Sequence, residues 1–318
     1  MARRNFPLVL ATCAVIVGVG LVGTAVYAKL DPTAKHAGGS GGGVSVSPSP
    51  TKSPEPPPPP TLNGDQPVTV TTPPGGFFAW AFYDRRTGKM TGSANSATKT
   101  NSTESMIKTW LVSDYLRRLG AKEPTTSALN YVKTAIINSN DTSATWLYKQ
   151  DGGSATIGRM IKTCGLKNTK ANSMGWAYTT MTAQDAVRLG LCVGDGRAAG
   201  EKWTDHVLSL MKQVQGTTAA KDQQKTTGGG HWGIIDGLPK NLVPETSIKN
   251  GWTMLYKDVL WHVNCLAVHD DWVLAVQVRI KPVKSSLGQK DSAGLAAAAK
   301  VCATVAKQLT YQPPAPAA

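Results

Sequence analysis

Ser105 and Lys108 stand three residues apart where a Ser/Thr-rich stretch gives way to Thr109-Trp110-Leu111-Val112-Ser113-Asp114-Tyr115-Leu116. On a helix this spacing puts both side chains on one face, one turn apart, so that a hydroxyl can meet an amine. A serine hydroxyl is a poor nucleophile until a neighbouring base takes its proton, and a lysine serves as that base when burial or a second cation favours its neutral form. The spacing alone is weak evidence, because Ser-x-x-Lys also occurs from Ser49 to Lys52 and from Ser96 to Lys99. Those copies lie in a proline-rich stretch and a polar stretch; only Ser105 opens an amphipathic helix.

Two further groups carry partners for such a pair. Ser139-Asn140-Asp141 falls in a loop between two helical patterns, and Lys249-Asn250-Gly251-Trp252 lies on a strand pattern. Taken singly, Ser105 reads as a helix cap, Lys249 as a solvated strand charge, Trp252 as core, and Ser139-Asn140-Asp141 as a turn into a helix. In this order, and on these kinds of element, they resemble the S-x-x-K, S-D-N and K-T-G motifs of the penicillin-recognising serine hydrolases, the class A β-lactamases and DD-peptidases. The resemblance covers roughly residues 68–309 and implies an α+β, β-lactamase/transpeptidase-like fold.

The resemblance also implies roles. Ser105 is the nucleophile to be acylated and Lys108 its base; Lys249 supplies a second cation that draws in an anionic substrate, and Ser139 relays a proton to the leaving nitrogen. Asp141 stands where the family usually has the Asn that holds a substrate amide. Asn250, Gly251 and Trp252 form the substrate-facing strand, with Asn250 replacing a hydroxyl residue. The backbone N–H groups of Ser105 and Trp252 would form the oxyanion hole. The implied substrates are cell-wall peptides or β-lactam-like small molecules.

Three departures narrow this expectation. The interval from Ser105 to Ser139 is shorter than in class A β-lactamases, which implies an abbreviated helical subdomain, and Asn250 changes the third motif. The third departure concerns the class A glutamate that activates the deacylating water, which precedes the helix starting here near Thr182. No glutamate occurs between Glu123 and Glu201, and no aspartate between Asp151 and Asp185. A serine hydrolase poor at β-lactam turnover is expected, with a catalytically inactive wall-binding protein as the alternative.

The elements that must position these residues follow from periodicity and turn chemistry. Residues 77–83 read as a buried strand returning through 84–88 to a second strand from Lys89. Helices are expected over 127–137, 141–148, 154–163 with Ser154 as N-cap, 182–191 opened by Thr182 in a capping-box pattern, and 201–214. Strands at 246–255, 260–268 and 272–280 are joined by turns too short for crossovers and must pair antiparallel. A closing helix spans 292–309. The sum is a five-stranded antiparallel sheet flanked by helices, assembled from both ends of the domain, plus a helical subdomain.

The rest of the 318-residue chain frames this domain. Arg3 and Arg4 precede an uncharged apolar run from Phe6 to Ala28, which predicts a transmembrane anchor over 1–30 with its N-terminus in the cytoplasm. A cleaved signal peptide ending near Val26-Tyr27-Ala28 remains the alternative. Either reading makes the domain extracytoplasmic. Lipid attachment at Cys13 is disfavoured, since Thr12 precedes it and the apolar core ahead is short. Gly, Ser and Pro dominate 31–65, a linker, and 313–318 reads as a disordered tail around a domain over 66–312.

The net charge of +14 is dispersed, without basic runs interleaved with aromatics, so an anionic envelope is expected and nucleic acid is not. Cys164, Cys192, Cys265 and Cys302 form no CxxC pair; sequence order suggests Cys164 with Cys192 and Cys265 with Cys302, among three pairings, with free buried thiols as the alternative. The five histidines are scattered, and no metal, cofactor or oligomer is implied; His231-Trp232-Gly233, after a glycine run, reads as structural, with the cleft edge as the lesser alternative.

Overall fold

In a computed structural model that describes residues 56–71, 76–223, 228–283 and 291–315, the aromatic run after Gly76 forms the long strand β2 (Phe77–Asp84). Asp84 turns the chain: it accepts from the Arg86 backbone N–H at 2.9 Å, and β3 (Lys89–Gly92) returns alongside. From the other end of the domain come β8 (Leu260–Val268) and β9 (Trp272–Ile280), with β9 pairing antiparallel to β2.

The strand expected over 246–255 is present in two pieces, Ser247–Ile248 and Gly251–Leu255, both pairing with β8 in one continuous register. Numbered β6 and β7, they occupy a single edge position broken at Lys249-Asn250. The sheet therefore has the order β3-β2-β9-β8 and then β6/β7, the expected five positions.

Alternation of side chains across β8 fixes what covers each face. Cys265 faces α7 (Ser292–Gln308), to which it is joined by a disulfide to Cys302. Leu266 and Val268 face α5 (Ala183–Gly194); a Cβ on Gly190 would lie within about 3.3 Å of their side chains and of Val273, so the missing side chain lets α5 lie directly on the sheet. The Thr182 side chain accepts from the Asp185 N–H, as the cap pattern predicts. The second disulfide, Cys164–Cys192, ties α5 to α4 (Ala155–Cys164). Both pairings match sequence order.

The helical subdomain surrounds α1 (Lys108–Arg118), whose Trp110, Leu111, Val112 and Leu116 are fully buried. Around it pack α2 (Thr126–Ile137), α3 (Asp141–Gln150), α4 and α6 (Glu201–Lys212). Asp114 sits inside this subdomain, paired with Arg117 and Arg159. Ser154 does precede α4 but makes no side-chain cap; its backbone is already helical after the left-handed pair Gly152-Gly153.

Two small pairings were not expected. Thr100–Ser102 (β4) pairs with Thr180–Thr182 (β5), and Thr61–Leu62 (β1) pairs with Thr310–Tyr311 (β10). The second lies inside the stretch read as linker, and Leu62 is fully buried, so ordered packing begins ahead of residue 66. The expected membrane segment, Cys13 and most of the linker lie outside the described residues; among the described residues no helix is long and apolar enough to cross a membrane.

Candidate active site

Five chain segments converge on one cleft of about 510 Å³. Ser105 lies in a one-turn 3-10 helix, Glu104–Ile107, that leads straight into α1, and it lines the cleft. Gly251 at the start of β7 packs against this turn: a Cβ there would stand 2.4 Å from the Thr103 carbonyl oxygen and 2.9 Å from the Ser105 nitrogen. Only glycine lets the strand approach this closely. The contact sets β7, and Trp252 on it, beside the Ser105 N–H.

Lys108, the first residue of α1, is fully buried, and its amine does not turn to Ser105. It donates to the Ser139 carbonyl oxygen, approaches Ser139 Oγ at 3.4 Å and pairs with Asp141 Oδ1 at 2.6 Å. Among the described residues no hydrogen bond joins the Ser105 hydroxyl to Lys108. In place of the expected direct pair, the amine is engaged by Ser139 and Asp141, and Ser105 and Ser139 line the same cleft. Asn140 caps α3 by accepting from the Ser143 N–H at 2.8 Å, and Ser139 before it adopts φ 53°, a left-handed conformation that is costly for a residue with a Cβ.

Lys249, also fully buried, reaches across from the break between β6 and β7 and donates to Ser139 Oγ at 2.9 Å. The Ser139 hydroxyl therefore lies between two amines. Desolvation pushes Lys108 below the usual lysine range, with Asp141 pulling the other way. Lys249 is pushed well below it by burial and by the neighbouring Lys108 charge. Asp141 thus favours the charged form of Lys108, while the charged form of Lys249 is the more strongly disfavoured of the two.

Neither Asn250 nor His231 is among the residues lining the cleft. Asn250 is buried and its amide donates to the Gly230 and Trp232 carbonyl oxygens at 2.9 and 2.7 Å, so it braces the glycine run against the strand and has no amide hydrogen left for a substrate. His231 is exposed and does not line the cleft, whereas Trp232 is buried edge-on against Trp252 at 5.4 Å between ring centroids. Trp252 does line the cleft, its indole N–H donating to Gln223 Oε1 at 2.6 Å.

Sequence reasoning passed over several residues of this cleft. Trp176, in a 3-10 turn with Ala177 and Tyr178, lies over the Lys108 amine at 5.1 Å from its ring centroid, in the segment ahead of α5. Thr253 and Glu104 also line the cleft. Glu104 is buried, and burial raises its carboxyl to about 7. Its adjacency to Ser105 was the one signal available; a glutamate in a polar loop reads as solvated until packing removes the water.

Comparison with known proteins bears on the fold. Residues 117–224 match the profile of the beta-lactamase enzyme family, a span that includes Ser139 and Asp141 but neither Ser105 nor Lys249. The chain is 26% identical over 176 residues to LppW of Mycobacterium tuberculosis, whose name classes it as a lipoprotein, covering 54% of this chain and 52% of that protein. The chain thus spans about half the length of the curated relatives it matches. Among solved structures it is similar to PBP-A (TM-score 0.54, 16% identity, covering 78% of this chain and 97% of that one). It is also similar to a PBP-A mutant held as an acyl-enzyme with penicillin-G (TM-score 0.52, 16% identity, 74% and 89%). A β-lactamase from Streptosporangium roseum is a further neighbour (TM-score 0.52, 16% identity, 74% and 91%). These likenesses show the fold, which is β-lactamase/transpeptidase-like.

Proposed function

We propose that this chain, a relative of the beta-lactamase enzyme family with a β-lactamase/transpeptidase-like fold, is an extracytoplasmic serine hydrolase that forms an acyl-enzyme through Ser105. The observation that carries the reading is the Ser139 hydroxyl held between the Lys108 and Lys249 amines in the cleft that Ser105 lines. As Ser105 attacks a substrate carbonyl, its proton passes to Ser139, whose own proton goes to Lys249; the path returns a proton to the leaving nitrogen. The Ser105 and Trp252 backbone N–H groups bind the oxyanion, and losing one such donor typically costs about 3 kcal/mol of transition-state stabilisation.

The segment ahead of α5 presents Trp176, Ala177 and Tyr178 to the cleft and carries no carboxylate, which favours a long-lived acyl-enzyme over rapid β-lactam hydrolysis. Cell-wall peptides or related amides and esters are the substrate class. Export is supported by two disulfides, which persist in oxidising compartments, by the apolar run from Phe6 to Ala28, and by the name of LppW. Anchoring by that N-terminal run belongs to the same proposal.

A fluorescent penicillin tests the reading. Labelling of the full chain that vanishes in Ser105→Ala supports it; no Ser105-dependent label from penicillin, active esters or D-Ala-D-Ala peptides overturns it. The engaged Asn250 amide and the Lys108–Asp141 pair favour a second reading, a wall-peptide binder without turnover. Peptidoglycan-fragment binding that is equal in wild type and Ser105→Ala, without acylation, would select it.

A further inference from the structure

Behind Ser105 runs a row of polar groups that the reaction above does not use. Glu104 adopts φ 50°, which turns its side chain inward, and its Oε1 lies 2.7 Å from Ser102 Oγ. Ser102 Oγ lies 2.9 Å from His262 Nδ1, and His262 Nε2 lies 2.8 Å from Asp258 Oδ2. Thr253 lines the cleft beside the carboxyl and favours its ionised form. The row leads from the cleft floor, through β8, to the half-exposed Asp258 in the β7–β8 hairpin.

Each of the three contacts in this row needs one hydrogen, and Ser102 has only one to give. Neutral His262 carries its hydrogen on Nε2, facing Asp258, so Nδ1 must accept the Ser102 hydrogen; the hydrogen between Ser102 and Glu104 then has to come from Glu104. An ionised Glu104 would instead take the Ser102 hydrogen, leaving His262 to carry hydrogens on both nitrogens. One proton is therefore shared between Glu104 and His262. Burial pushes His262 below its usual range, against the pull of Asp258 and with Arg279 beside it on β9 adding to the effect, which favours the arrangement with the proton on Glu104.

The groups facing Glu104 act in both directions. Lys108 at the start of α1 favours its ionised form and Asp141 opposes it; β7 brings no titratable side chain, and the Trp176–Tyr178 turn brings only the Tyr178 phenol. Burial outweighs them.

We propose that Ser102, His262 and Asp258 hold Glu104 as a neutral acid and that acyl transfer at Ser105 requires that neutral form. The peptide linking Glu104 to Ser105 supplies an oxyanion donor, and a carboxylate on the residue before it would set a negative charge against the developing oxyanion where water does not screen it. Glu104 is a positioning residue, and the inference rests on the acyl-transfer reading.

The test measures Ser105 acylation by an active ester from pH 5.5 to 9 in the full chain. The rate is expected to fall as pH rises through about 7, where Glu104 ionises, by up to about tenfold per pH unit. Glu104→Gln, neutral throughout and able to donate to Ser102, is expected to lose this fall, whatever its absolute rate. A Glu104→Gln profile that still falls above pH 7 overturns the gating. In parallel, ring ¹⁵N chemical shifts of wild-type His262 at pH 6 are expected to show the neutral ring protonated at Nε2; an imidazolium there overturns the neutral acid, whether or not the variant folds. A chain that acylates at no pH sinks the acyl-transfer reading and the gating with it, while the His262 signal still decides where the proton sits.

Discussion

Asp141 is the residue whose chemistry departs furthest from the motif it occupies. Its carboxylate, 2.6 Å from Lys108, favours the charged form of both lysines around Ser139. Asp141→Asn removes that charge, lowers the proton affinity of both amines and makes a neutral base available at lower pH. The acidic limb of the acylation profile is expected to move to lower pH, with a several-fold rise in rate at pH 6; an unchanged limb in stopped-flow acylation would mean the amines are not the base. Ser105, Lys108, Ser139 and Lys249 were legible in the sequence because their types and order point to one chemistry. The Asp141 pairing, the Asn250 brace and the Glu104 row were not, since each depends on which water packing removes and which neighbour packing supplies.

The meeting of β7 with the Ser105 turn is the element contact on which the cleft depends. Gly251→Ala forces a Cβ into the Thr103 carbonyl and the Ser105 and Met106 nitrogens, so the strand must withdraw. Loss of the oxyanion geometry is expected to cost at least about 100-fold in acylation, with far-UV circular dichroism unchanged. The opposite face is held by Cys265–Cys302; Cys302→Ala is expected to lower stability by about 2–4 kcal/mol in denaturant titration. The long strands and helices were legible from aromatic runs, short turns and the Thr182 cap. The β4–β5 and β1–β10 pairs were not, because two- and three-residue strands joined across most of the domain leave no local period. The break at Lys249-Asn250 was hidden for the opposite reason, as register runs unbroken through it.

Across the whole domain, buried acids give stability a definite pH dependence. Burial raises Glu104 to about 7 and Asp151 to about 8, both well above their values in an unfolded chain. Between about pH 4 and 8 the native state keeps protons that the unfolded chain has released. The contribution of these two acids is therefore full at the acidic end of this window and is lost as pH rises, by at most about 1.4 kcal/mol per pH unit for each proton, while the depressed Lys249 and the buried His262 act in the opposite sense. Asp151→Asn is expected to flatten the upper part of this slope in urea titrations from pH 5 to 9; the wild-type slope persisting in the variant would remove Asp151 as its cause. The export reading bears on the same molecule, since reduction should break both disulfides and a cell that secretes the chain should deliver it oxidised. The acyl-enzyme itself is read by intact mass spectrometry of the chain after incubation with penicillin-G, followed by digestion to place the adduct. One added penicilloyl mass, persistent and confined to the peptide bearing Ser105, is expected; an unmodified chain, or an adduct that survives in Ser105→Ala, would contradict it.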